Sequence, residues 1–426
     1  MTFDNTGTTI YGTNDGGVYK TINGAQTWTD VSSGLNVTEY YRFGNAPNSK
    51  TELLAGSQDN GVHRYRGGTW FGIFSGDESD ALIDPLDSNI VYWSQGPVLL
   101  KSLTAGPNYT LVLQDTGDFL CPYIMHPTNN QTIFFGGNHV KKTTNGGATW
   151  TTISPIFGPY WITSMAVAKS NPNYIYVASY NGVNLTTNGG ATWSSVTNNL
   201  PTFFGGFAYI SSIAISATNP NHVWVSIPGW FANDKVYESI NAGGSWSNVS
   251  AGIPNITAHS IVYNNNSLND EIYLGTDIGV FYKDNSLPSW LPYNTNLPAV
   301  KVNELEVHYL TGNLRACTYG RGIWESPLIT ALPTNVNGNI FSESQIIIYP
   351  NPANNFVKIV VDNKNENITG VNIFNLMGQK IIQNDFAGFN LKETELRTEN
   401  LSKGIYFVEV TTNKSVYSEK IIIAEK

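Results

Sequence analysis

The chain is 426 residues long and only 13% of them are charged, against about 25% in an average soluble protein. Aromatic residues reach 12%, glycine fills 40 positions, the net charge is −9, and Lys and Arg form no cluster. This balance excludes coiled coils, charge-driven disorder and nucleic acid as a partner, and the longest apolar runs (346–349, 421–424) are strand-sized, so no membrane span is expected.

From the N-terminus, Met1-Thr2-Phe3-Asp4 runs straight into strand-like sequence without the basic and apolar regions of a signal peptide. One box then recurs: Thr21-Ile22-Asn23-Gly24-Ala25-Gln26-Thr27-Trp28, and again at 143–150, 186–193 and 239–246. Each places a hydroxyl residue seven positions before a Trp, with Asn23, Asn145, Asn188 or Asn241 between them and Trp28, Trp150, Trp193 or Trp246 at the end. Degenerate copies end at Trp70, Tyr109 and Trp290, so successive anchors are 42, 39, 41, 43, 53 and 44 residues apart. A near-constant period of this size means a stack of supersecondary units. Before each box lie short runs rich in Val, Ile, Tyr and Phe (9–12 and 17–21, 174–178 and 182–186, 271–275 and 279–283), joined by Gly-containing turns. They read as hairpins. Four short antiparallel strands in about 40 residues make one blade of a β-propeller, and a lone blade cannot bury both faces, so neighbours must stack around an axis. The anchor Trp is expected to fill the space between blades.

The boxes resemble the Asp-box of bacterial neuraminidase-like, sortilin-like and endo-xyloglucanase propellers, over residues 1–328. The resemblance implies an all-β fold of seven to eight blade units. All four boxes carry Asn where that family favours Asp, and a short polar side chain of either kind can brace a turn, so a structural role is expected. The last unit has three strands and ends in Thr318-Tyr319-Gly320-Arg321-Gly322-Ile323-Trp324, like the family's closing sequence. A closing blade that joins strands from both ends would want an outer strand from upstream of Met1. The expectation is therefore an N-terminally shortened chain that has lost its signal peptide.

Residues 329–344 are a Thr/Asn/Ser/Pro stretch and read as a linker. In 345–426 Trp disappears, Lys and Glu rise, and alternating strands at 356–361, 370–375, 379–383, 404–411 and 415–424 suggest a small β-sandwich. Ile348-Tyr349-Pro350-Asn351-Pro352, Ile373-Phe374-Asn375-Leu376-Met377-Gly378, Lys403-Gly404-Ile405-Tyr406-Phe407 and Lys420-Ile421-Ile422-Ile423 occur in that order. This segment resembles the C-terminal sorting domain of the type IX secretion system. The resemblance implies export through that machinery, with the passenger secreted or held on the outer-membrane surface.

Chemistry is less legible. Gln58-Asp59-Asn60-Gly61 and Gly76-Asp77-Glu78-Ser79 resemble a motif pair of large secreted propellers, and Asp59 and Asp77 are the candidate acid and base of a glycoside hydrolase. The competing reading is that both only make turns. With six Arg in the whole chain and no Phe/Tyr-Arg-Ile-Pro motif, the three-arginine carboxylate clamp of a sialidase is not expected. The six His are spread along the chain without ligand spacing, so neither a metal nor a cofactor is expected. Pairing of Cys121 with Cys317 stays open. Loop aromatics, namely Trp161, Phe204, Trp230 and Phe231, are candidate sugar platforms, and the unit lengthened to 53 residues carries three of them. Three functions follow: a surface propeller binding glycan or protein, an endo-xyloglucanase-type hydrolase, or a structural or adhesive surface component. The first is preferred.

Overall fold

Short runs of β-branched and aromatic residues, punctuated by glycine turns, fold here as successive antiparallel meanders. The computed structural model describes residues 1–14, 17–35, 37–203, 209–329, 346–361, 366–375, 379–386 and 388–424. Among these there is no helix, and the chain divides into two compact units, Met1–Ile329 and Thr330–Lys426. Apart from Ile329, the expected linker 329–344 lies outside the described residues.

In the first unit, seven sheets form a ring of blades. Their innermost strands are Tyr40–Asn45, Asp80–Ile83, Tyr123–His126, Ile162–Val167, Ser212–Ile215, Ala258–Tyr263 and Val302–His308. Each packs beside the next, and the seventh packs beside the first, which closes the ring. Second strands such as Glu52–Ser57, Ile175–Ser179 and Ile272–Thr276 are buried along their whole length, because both of their faces meet a neighbouring blade. Fourth strands such as Ser194–Ser195 lie exposed at the rim. We call the face where innermost strands begin the upper face, and the face where they end the lower one. The hairpins between second and third strands then lie on the upper face, and the Asn boxes lie on the lower outer rim.

The two ends of this unit depart from the other sheets. Residues 2–30 form a complete four-stranded sheet of their own, which packs against no ring blade to a comparable extent and lends no strand to the last blade. The last blade keeps three strands among the described residues. Polar groups hold the seam between the last blade and the first. The Phe43 N–H donates to Glu304 at 2.7 Å and the Asn45 N–H to Glu306 at 3.0 Å, while Asn303 donates to the Tyr40 carbonyl at 2.7 Å. The buried Arg315 reaches Asn45 Oδ1 and the Lys50 carbonyl, both at 2.7 Å. The N–H groups of Gly320 and Gly322 donate to the Thr38 carbonyl. Side chains and loop N–H groups thus bind the last blade to the first.

The boxes share one turn. In the second, the Thr143 hydroxyl donates to Asn145 Oδ1 at 2.9 Å, the Thr149 N–H donates to the same oxygen at 2.9 Å, and Asn145 Nδ2 donates to the Thr149 hydroxyl at 2.9 Å. The amide therefore uses both of its ends. Asn23, Asn188 and Asn241 repeat this pattern. The anchors follow a second rule. Nε1 of Trp150, Trp193, Trp246 and Trp290 donates to the carbonyl of Val112, Ile153, Val196 and Val249 respectively, each in the preceding blade. Two anchors depart from it. Trp28, in the leading sheet, lies 40% exposed over Gly12 of its own sheet. Trp70 stacks on Tyr40 and tilts against Tyr65, both within its own blade.

In the second unit, one sheet joins Ile346–Tyr349, Phe356–Val361 and Glu393–Arg397, and another joins Lys380–Asp385, Ile368–Asn375, Gly404–Thr412 and Val416–Ile423. Alternate residues Val357, Ile359, Val361, Val371, Ile373, Val408 and Val410 fill its core, as the period of two requires.

Candidate functional site

The upper face gathers most of the chemistry. The hairpin 58–60 of the first blade lies against the loop entering the second, with the Gly61 N–H donating to the Gly76 carbonyl at 2.7 Å and the Glu78 N–H to the Ser57 carbonyl at 3.2 Å. Gly61 (φ +77°) is forced: a Cβ there would sit 1.9 Å from the Phe74 carbonyl oxygen. The Asp77 carboxylate accepts the Asp59 N–H at 2.7 Å, so one member of the expected acid pair braces the turn that carries the other. Gln58 Oε1 accepts the Tyr41 hydroxyl at 3.1 Å and also that of Tyr319. Phe119 meets Tyr41 edge-on, and Lys301 Nζ lies over the Tyr319 ring. Burial, then Tyr319 and the charges of Asp77 and Asp59, push the Tyr41 phenol well above its usual range.

Glu78 was not singled out from sequence. It is fully buried, and neither carboxyl oxygen has a hydrogen-bond partner among the described residues. Burial, and secondarily the charge of Asp77, push it up to about 8, so it holds its proton at neutral pH. Nothing in the residue type foretells this. The signal lay only in its position, immediately after Asp77 at a blade junction.

A second cluster lies on the same face, over the fourth and fifth blades. Tyr180 stacks on Tyr209 at 4.4 Å with 13° between the rings, and Tyr160 leans on Tyr180 at 5.3 Å. Phe231 stacks on Phe203 at 3.7 Å. Trp230 is 74% exposed, and its Nε1 donates to Asp277 at 3.4 Å. The Thr257 N–H and His259 hold that carboxylate in turn, at 3.1 and 2.7 Å. Trp161 is half-buried just before its strand, and Phe204 lies outside the described residues. The structure thus brings Trp230 and Phe231 to one loop, while the Asp59–Asp77 pair sits at another blade junction.

Among the described residues no three His, Cys, Asp or Glu side chains gather as metal ligands. Cys121 and Cys317 are both free and buried, and burial pushes the Cys121 thiol up to about 12.

Residues 347–424 match the family described as the secretion system C-terminal sorting domain. No curated protein matches the chain. Among solved structures, the chain is similar to an ancestral GH74 enzyme, with 14% identity and a TM-score of 0.58 over 94% of this chain and 64% of that one. It is also similar to the GH74 xyloglucanase of Xanthomonas campestris, with 13% identity and a TM-score of 0.54 over 68% and 52%. The chain therefore spans less than two thirds of either enzyme. YCF48 from Cyanidioschyzon merolae matches at 12% identity and a TM-score of 0.51, over 70% of this chain and 97% of that one. At such identities the likeness is one of fold. The protein is thus an all-β propeller of the fold seen in GH74 and YCF48, carrying a type IX sorting domain that directs its export through that secretion machinery to the medium or the cell surface.

Proposed function

We propose that the propeller, residues 1–328, is a glycan-binding module without catalysis, tethered through 329–344 to an export domain at 345–426. The observation that carries this reading is Trp230, an exposed indole held by Asp277 on a face already rich in stacked rings. A flat π face suits the CH groups of a pyranose, and an indole with a fixed N–H is oriented before the sugar arrives. Phe231 shapes the same loop, and Trp161 lies just before the innermost strand of the fourth blade. One oxygen of the Asp77 carboxylate braces the Asp59 turn, a structural role for one member of the expected acid–base pair.

A second reading, a glycoside hydrolase, is favoured by one observation. Glu78 is protonated at neutral pH beside Asp77, and carboxyls whose environments differ in this way can divide acid and base roles. Complete burial of Glu78 weighs against it, because a general acid must reach the leaving oxygen. The test is a glycan array of plant, host and bacterial sugars probed with the full chain and with Trp230→Ala. Binding that falls at least about tenfold in the variant supports the module. Equal binding by both proteins refutes this face as the site, and sugar release lost in Asp77→Asn establishes the enzyme instead.

A further inference from the structure

At the lower face the central channel widens into a cavity of about 500 Å³, lined from six of the seven blades. This volume lies within the range of small-molecule sites, roughly 300–1,000 Å³. The cavity is remote from the aromatic platform. It is bounded by the ends of the innermost strands, at Asn45, Ile83, Ile215 and Tyr263, whereas Trp230 and Asp77 belong to loops at the opposite face. Its wall mixes polar and apolar groups, with Met125 and Ile215 among the lining residues and Glu306 as the acidic one.

We propose that this mouth is a second binding site, for a small organic cation with an aliphatic body, its ammonium or guanidinium head against Glu306 and its chain along Ile215 and Met125. The charge pattern selects the sign. Glu304 stands on the same strand as Glu306 and Asp80 on the second blade, and Arg42, which feels both Glu304 and Asp80, is already paired with Asp80 at 3.0 Å. Arg315 is committed to Asn45, Lys50 and Glu325, and His308 bonds Thr311 and the Ala46 carbonyl, with burial holding its imidazole below the usual range. Glu306 is the acidic residue of the lining, and among the described residues no Lys or Arg lines the cavity to offset it for an anion. Glu306 accepts the Asn45 N–H with one oxygen, and a carboxylate has about four acceptor sites, so capacity for a ligand donor is left. Burial, and then the charge of Asp80, raise Glu306 to about 7 against the pull of the Asn45 N–H and Arg315. An arriving cation would favour the ionised carboxylate, so binding releases a proton near neutral pH.

The test is calorimetric titration of the full chain at pH 6.5 with n-hexylamine and with 1-hexanol as the neutral probe, in two buffers of different ionisation enthalpy. The amine is expected to bind with Kd below about 1 mM, the alcohol at least about tenfold more weakly, and the amine with proton release. Glu306→Gln should weaken the amine at least about tenfold. Because Glu306 also serves the seam, Ile215→Trp, which crowds the wall along which the chain would lie and keeps the carboxyl, should weaken the amine at least about tenfold independently. Trp230→Ala should leave it unchanged. No amine binding up to about 10 mM, equal binding of the alcohol, or unchanged affinity in Ile215→Trp would overturn the proposal.

Discussion

Replacing Glu78 by Gln should stabilise the propeller, and do so only at high pH. The side chain is fully buried with both oxygens unpartnered, and it titrates near 8 instead of at the ordinary 4.5. The unfolded chain releases this proton near 4.5, whereas the folded chain keeps it until about 8. Folding therefore retains a proton across that window, and stability contributed by the group is fully present below 4.5 and lost as pH rises through 8. At about 1.4 kcal/mol for each tenfold change in proton affinity, the ceiling is about 5 kcal/mol, and local relaxation leaves roughly 2–4 kcal/mol to be seen. Gln keeps the shape and polarity without the ionisation. The assay is urea unfolding at pH 5, 6.5 and 8.5, followed by Trp fluorescence. All 11 Trp lie at or before position 324, so the signal reports the propeller alone. The variant should match the parent within about 1 kcal/mol at pH 5 and exceed it by roughly 2–4 kcal/mol at pH 8.5. Parallel pH profiles for the two proteins would refute the reasoning.

The seam makes its own demand: Arg315→Ala strips the bonds to Asn45 Oδ1 and the Lys50 carbonyl and leaves both acceptors bare, so urea unfolding should show a loss of about 3–5 kcal/mol. Glu304, like Glu306, is raised by burial, so the parent's stability should also fall as pH climbs from about 5 to 8, a trend Tm measurements would reveal. In the boxes, Asn145→Ala should cost about 1–2 kcal/mol and Asn145→Asp less than about 1, since a carboxylate can still accept from both Thr hydroxyls and the Thr149 N–H. Thiol labelling of the folded protein should be negligible at pH 8 and should reach both Cys121 and Cys317 only on unfolding.

Local features of this molecule were readable from sequence and long-range ones were not. The Asn–Trp boxes repeat because each turn is closed within eight residues, and the same chemistry therefore recurs in the chain. The alternation of Val357, Ile359 and Val361 likewise announces a half-buried strand. Strand Glu393–Arg397 escaped because Glu-Thr-Glu-Leu-Arg buries only Leu396 and looks like a polar loop. Ring closure escaped for a different reason. Glu304 and Glu306 meet Phe43 and Asn45 across some 260 residues, and no local pattern encodes such a pairing. The leading sheet has the strand order of a blade, so its place outside the ring was invisible. At the candidate site, Asp59 and Asp77 were visible as an acidic pair, yet only coordinates reveal that one holds the other's backbone. The exposed loop position of Trp230 was legible because a lengthened unit advertises itself.

The account turns on whether the upper face binds sugar without cutting it. The direct measurement is the chain-length distribution, by mass spectrometry, of the best-binding oligosaccharide recovered after prolonged incubation with the full chain. The account predicts ligand of unchanged length, retained by the parent and lost from Trp230→Ala. Shortened chains that disappear in Asp77→Asn would contradict it and identify a hydrolase.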